Sequence, residues 1–353
     1  MLGESYQLTG YGYMNRRDFL KITGLVGLGL VTCPTGASLA ETVKFDRKFY
    51  KVSRSRIAMG TIVSITVLDP SADHAEEAIA VAFEEIERLT KLMSRFNGST
   101  PVAELNRDGF LKGAPPEVSL VMKKSMYYHG ISNGLFDITV KPLLDVFARS
   151  FEGPERVLPR EEEVTEALEL VDTGLISLDG ETIAFRKDGM GITLDGIAKG
   201  FIVDKAVEKL IQRGIKHALL NAGGDIRAIG DKGNNRPWRV AIEDPLKNKN
   251  YPALVAITNR SIATSGNYEV FFDREKIFHH IVNPRTGLSP LMNVSVTVQA
   301  PTAMEADALS TTLFVLDPAH GTRLINARPY CQSLIITRKG EKIKSTGWRD
   351  IRI

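Results

Sequence analysis

The sequence predicts an α+β fold, mainly antiparallel sheet with packed helices, forming one large unit over residues 41–353. Three observations carry this. Ile57, Met59, Thr61, Val63, Ile65 and Val67 alternate with more polar neighbours, as on a half-buried strand. Ile79, Phe83, Ile86, Leu89 and Met93 instead keep the three- and four-residue step of a helix. Segments of the two kinds then follow one another without the regular alternation of a doubly wound parallel sheet. No repeat, low-complexity tract or internal linker calls for a second domain.

Taken in order, "DPSAD" turns the chain from the 57–67 strand into the 79–93 helix, and "RFNGSTPVAELN" reads as a loop. Residues 116–133 read as helix, and "NGLFDITV" (133–140) as a short extended piece. The Pro- and Glu-rich stretch 151–164 reads as a surface insertion. Strands are expected near 175–178 and 182–186. An amphipathic helix follows, with Phe201, Ile202, Ala206, Leu210 and Ile211 on its apolar face, then strands in "HALLNAGGDIRAIG" and "WRVAIEDP". Extended segments are expected at 253–258, 261–264, "YEVFF", "IFHHIVNP" and "VSVTVQAP". A helix starts near Ala303, and a C-terminal hairpin turns at Lys339–Gly340.

The first forty residues read as an export signal rather than fold. Arg16 and Arg17 begin "RRDFLK", an apolar run extends from Ile22 to Thr32, and small residues Ser38 and Ala40 mark a cleavage point. The apolar run is shorter than the roughly 20 residues a spanning helix needs. The paired arginines match a twin-arginine signal; a general secretory signal with two arginines is the alternative. Met14 is a second candidate start. Lipidation at Cys33 is disfavoured by Thr32 before it, so a soluble exported product beginning near Glu41 is expected. Cys331 is then the only cysteine left, which excludes an internal disulfide. The formal charge of +3 is spread without basic runs or aromatic-basic interleaving, so nucleic acid is not an expected partner.

Several short stretches carry chemistry. Asp195, Gly196, Lys199 and Gly200 crowd the mouth of the helix in "LDGIAKG", where glycine admits a ligand close to the backbone. Asp307 and Thr311 stand four residues apart on one helical face, a hard-oxygen pair suited to Mg²⁺. The plain alternative is a surface Asp with Thr311 bonded back to its own helix. "NAGGD" and "ATSG" place glycines and hydroxyls at strand ends, where phosphate contacts and simple turns look alike. In "HHIVNPRTG" only one of His279 and His280 can face a cleft, because neighbours on an extended segment point opposite ways.

The order "MGT", "FDIT", "LDGIAKG", "NAGGD", "ATSG", "HHIVNPRTG", "APTAMEAD…ST" resembles the ApbE family, the FAD:protein FMN transferases, from about Ile57 to Leu316. The resemblance implies an ApbE-like fold and an exported Mg²⁺-dependent enzyme. It would split FAD and attach FMN, by a phosphoester, to a Thr or Ser hydroxyl of an exported or membrane-associated redox protein. Carried over residue by residue, it implies FAD contacts from Met59, Leu135, Phe136, Asp137, Lys199 and Val282. It implies metal ligation by the Gly196 carbonyl, Asp307 and Thr311. His280, in "HHIVNP", matches the candidate base, so that His280 and Asp307 are the expected catalytic residues.

Three positions depart from the family pattern. Thr193 stands where an Asp is typical, keeping a hydroxyl toward FAD but not the charge, and Ser310 stands where some members have a second carboxylate. Phe96 stands where a stacking Tyr is common; its ring can still stack on the flavin or adenine. Two other activities fit the same residues: an FAD pyrophosphatase, with water as the nucleophile, and an exported flavin-binding protein without catalysis.

Overall fold

The computed structural model describes residues 40–351 apart from 152–156, 247–250 and 274–276. The export-signal motifs, with Arg16, Arg17 and Cys33, lie outside the described residues.

A nine-stranded sheet, with every neighbouring pair antiparallel, organises the chain. Its order is β1 (Ala40–Lys44), β2 (Tyr50–Ala58), β3 (Thr61–Asp69), β7 (His217–Ala222), β8 (Asp225–Ile229), β11 (Ser261–Gly266), β12 (Asn293–Ala300), β13 (Gln332–Thr337) and β14 (Lys342–Lys344). Between β3 and β7 the chain builds α1 (Ala72–Met93), α2 (Pro101–Asp108), α3 (Pro116–Ile131), α4 (Lys141–Phe151), α5 (Glu161–Leu168) and α6 (Ala198–Gln212). A small sheet of β4 (Phe110–Leu111), β5 (Ile176–Asp179) and β6 (Thr182–Phe185) belongs to the same excursion. α7 (Ala303–Val315) and α8 (Pro318–Asn326) join β12 to β13.

Period-two alternation sorts the strand residues between two cores. Val63, Ile65 and Val67 of β3 and Ala218, Leu220 and Ala222 of β7 meet α1, α6 and α7 on one face. Leu68, Ile226, Ala228, Ile262, Leu334 and Ile336 point to the other. There the hairpin of β9 (Trp238–Ala241) and β10 (Leu254–Ile257) covers them with Trp238, Val240, Val255 and Ile257. On the helix side, Ile79, Phe83, Ile86 and Leu89 form the buried stripe of α1, each contributing roughly 1.5–3 kcal/mol.

Four expectations change. The 57–67 alternation is a hairpin, not one strand: Ala58 pairs with Thr61, and Met59 and Gly60 form the turn with φ of 53° and 71°. The turn also switches parity between the strands: Ile57 pairs with Ile62 and is exposed, whereas Val63, Ile65 and Val67 share the buried face with Val52. The 95–106 loop contains α2, capped by Thr100 with Pro101 as its first residue. Residues 133–140 are a chain of turns rather than extended, because the Asp137 carboxylate takes the Thr139 N–H and hydroxyl and folds the segment on itself. "YEVFF" and "IFHHIVNP" form no strand among the described residues; an isolated bridge, Phe271 to His279, joins them.

Candidate functional site

The β2–β3 turn and the β7–β8 turn lie at the same end of the sheet, since β3 and β7 pair antiparallel with Val63 opposite Ala222. Gly223 approaches so closely that a Cβ on it would lie 2.4 Å from Thr61 Oγ1. The last residues of β11, Ser265 and Gly266, reach the same end. The mouth of α6 and the middle of α7 come together above it.

Two contacts fix how α6 and α7 meet. Asp204 of α6 accepts the first N–H groups of α7, Ala303 at 2.9 Å and Met304 at 2.9 Å, and is held in turn by Arg227 of β8 at 2.5 Å. One turn earlier, Gly200 presses its backbone against α7: a Cβ there would lie 2.3 Å from the Ala303 carbonyl oxygen. Its N–H donates to Asp307 Oδ2 at 3.0 Å. A turn before that, a Cβ on Gly196 would lie 3.0 Å from Thr311 Oγ1 and 3.4 Å from the Phe136 ring. The glycines at the helix mouth are therefore places where backbone meets α7 and Phe136.

Gly196, Lys199, Asp307 and Thr311, separated by over a hundred residues of sequence, thus converge. Thr311 Oγ1 lies 3.2 Å from Ser265 Oγ, which also bonds Ser310 Oγ at 2.8 Å. Lys199 Nζ stands 3.4 Å from Asp225 Oδ2. Burial drives the Asp307 carboxyl well above the usual carboxylate range, and the nearby charge of Asp225 adds to it, against Lys199 and the Gly200 N–H. For Lys199, burial pulls the ammonium's pKa down, but Asp225, Asp307 and Glu269 outweigh it and the net direction is up. A buried carboxylate short of counter-charge, a hydroxyl beside it and a backbone that admits no Cβ fit a hard divalent cation.

The remaining predicted residues surround this point unevenly. Thr193 is buried, joins the 133–140 turns by its N–H to the Ile138 carbonyl at 2.8 Å, and accepts the Asp195 N–H at 3.2 Å. Phe136 is buried edge-on to Tyr128, and Leu135 packs against the helix-side core. The Asp137 carboxylate is spent on Thr139, the Thr173 N–H and hydroxyl, and His129. Val282 is buried against α4 and α5, and Met59 is half-buried in its turn. Phe96 is exposed, with the Arg95 guanidinium 4.2 Å above its ring.

The two histidines divide as their alternation requires. His279 is fully buried, edge-on to Phe314, with Nε2 3.2 Å from the Pro290 carbonyl. His280 points the other way: Nδ1 lies 3.0 Å from the Val270 carbonyl, so Nδ1 carries the proton and Nε2 keeps its lone pair. Burial lowers its pKa from 6.5; the Asp195 charge opposes that, while those of Lys199 and Arg95 add to it. His279 is pushed down to about 4, chiefly by burial and then by His280. The unfolded chain binds a proton at His279 below about pH 6.5, and the fold resists until about pH 4. About 3 kcal/mol of stability is therefore lost as the pH falls through that interval. Urea unfolding of wild type and His279→Asn should show their stability difference shrinking by that amount between pH 6.5 and 4.

Sequence reasoning passed over Arg95, whose Nε and Nη2 reach Asp195 Oδ2 at 3.3 and 3.2 Å, and Asp204, whose capping role has no local signature. A separate grouping of His129, Asp137 and Asp172 has ligand atoms within 4.8 Å of one another and shares no residue with the predicted metal set.

A family model described as "ApbE family" matches residues 59–335. The FAD:protein FMN transferase of Haemophilus influenzae is 30% identical over 305 residues, covering 82% of this chain and 86% of its own length. That of Treponema pallidum is 30% identical over 310 residues, covering 80% and 84%. The solved flavin transferase ApbE of Vibrio cholerae superposes with a TM-score of 0.74 at 26% identity, covering 87% of this chain and 98% of its own. The ApbE protein of Thermotoga maritima gives 0.75 at 28%, covering 84% and 97%. This chain belongs to the ApbE family.

Proposed function

We infer that this chain is an FAD:protein FMN transferase whose site works with Mg²⁺. The reading rests above all on the convergence of Gly196, Lys199, Asp307 and Thr311 at one end of the sheet, together with the relatives' activity. The acceptor's Thr or Ser oxygen forms a bond to the FMN-side phosphorus of FAD, and the bond from that phosphorus to the AMP oxygen breaks. The hydroxyl proton passes to His280 Nε2, which its Nδ1 contact with Val270 leaves open. Asp307 and Thr311, with the Gly196 carbonyl, would hold Mg²⁺, which when bound neutralises charge on the diphosphate. Lys199 adds a fixed positive charge, and the 133–140 turns with Phe136 wall the flavin side.

The test is mass spectrometry of an acceptor peptide incubated with enzyme, FAD and Mg²⁺. Covalent gain of FMN with release of AMP is expected. Free FMN and AMP with an unmodified peptide would make the enzyme a pyrophosphatase, and tight FAD binding without AMP would make it a carrier. Chelation should stop the reaction.

His280→Ala should slow transfer by about 10²–10⁴-fold. Because its pKa is lowered, the base form persists below pH 6.5. The acid limb of kcat/KM should therefore lie below 6.5 in wild type and vanish in the variant. We also propose that the enzyme acts outside the cytoplasm, as the Arg16–Arg17 signal implies; fractionation of cells carrying Arg16→Lys/Arg17→Lys should find it retained inside.

A further inference from the structure

Asp225 opens β8 directly after the turn Gly223–Gly224, whose φ values are 59° and 100°, and Gly224 N–H donates to Asn221 Oδ1 at 2.9 Å. With Ile226 and Ala228 on the far side of the sheet, Asp225 and Arg227 face the helices. Arg227 is committed to Asp204. Asp225 is 1% exposed, and among the described residues its buried Oδ2 has no well-aligned hydrogen-bond donor. Its cation partner is Lys199, at 3.4 Å.

An ionised carboxylate held this way is costly, because desolvation is only partly offset by a loose ion pair. An Asn of the same size would avoid most of that cost. What the carboxylate does accomplish is geometric. Lys199 has a long, flexible side chain, still 31% exposed, and its ammonium has three donors. Asp225 lies against it at 3.4 Å, and one carboxylate cannot occupy all three donors.

We propose that Asp225 is a positioning residue for FMN transfer: it anchors the Lys199 ammonium at the mouth of α6, ready for the FAD diphosphate. Anchoring removes the rotamer freedom that a phosphate would otherwise have to quench. This rests on the transferase reading for its kinetic consequence, though not for the contact itself.

The experiment is a double-mutant cycle of Asp225→Asn and Lys199→Met, followed by kcat/KM for FAD. Asp225→Asn should cost about 10–100-fold with Lys199 present and less than about threefold in the Lys199→Met background. Its melting temperature should not fall, since a poorly paired buried charge is removed. Equal losses in both backgrounds, or no loss beside an impaired Lys199→Met, would overturn the proposal. A second measurement needs no turnover: acylation of Lys199 by acetic anhydride, followed by peptide mass spectrometry. Release of the ammonium in Asp225→Asn, or in Asp225→Ser should Asn fold poorly, is expected to raise its labelling several-fold. Unchanged labelling would refute the anchor. Absence of turnover in wild type would refute the transferase reading and leave the labelling result to decide the anchor.

Discussion

Asp307→Asn is expected to reduce FMN transfer by about 10³-fold or more while leaving the metal-free protein as stable as wild type, or more so. The carboxylate is buried with the charge of Asp225 near it, and the Gly200 N–H and Lys199 offset only part of its desolvation. Asn keeps the shape and removes the charge, relieving the fold of an unfavourable term that only a bound cation would compensate. The melting temperature of wild type should rise with millimolar Mg²⁺, by mass action on a native-state site, and that of the variant should not. Calorimetric scans with and without Mg²⁺, beside the transfer assay, check both halves. A variant that keeps the Mg²⁺ shift would remove Asp307 from the metal site.

Gly200→Ala should be among the most damaging single substitutions in the protein. The added Cβ would lie 2.3 Å from the Ala303 oxygen, 2.6 Å from its carbonyl carbon and 2.8 Å from Asp307 Cβ. These are mostly backbone atoms of α7, and α7 cannot retreat without leaving the Asp204 carboxylate that caps it. A destabilisation of about 3 kcal/mol is expected, with loss of transfer as Gly196 and Thr311 separate. Urea titration should detect it as a lowered midpoint. Gly130→Ala, within α3 with no atom near the new Cβ, is the control and should be neutral or slightly stabilising.

Much of this was legible before any coordinates. The helical step of Ile79 to Met93 and the i, i+4 spacing of Asp307 and Thr311 are local patterns, and local patterns survive folding. The alternation of Ile57 to Val67 reads as one strand because apolar residues fall on odd positions on both sides of the Met59–Gly60 turn. The pairing of Ile57 with Ile62 puts the odd residues of the two strands on opposite faces, leaving Ile57 exposed and Val63 buried. Met59 at positive φ gave no warning, since a non-glycine residue seldom adopts it. The 133–140 segment looked extended from Ile138, Thr139 and Val140, but Asp137 spends its carboxylate within its own loop and on Thr173, a tertiary bond with no spacing to betray it. Gly200 read as a weak helix start. Its reason, the approach of α7, lies about a hundred residues away. Asp225 was hidden behind its glycines, which drew the eye to the turn rather than to the residue the turn delivers.

A crystal of the enzyme with FAD and Mn²⁺, a heavier stand-in for Mg²⁺, tests the central claim most directly through the anomalous signal of the ion. The account predicts a peak in ligand contact with the Asp307 carboxylate, the Thr311 hydroxyl and the Gly196 carbonyl, with the FAD diphosphate beside it and Lys199. A peak at His129, Asp137 and Asp172 instead, or a diphosphate bound away from the mouth of α6, would contradict it.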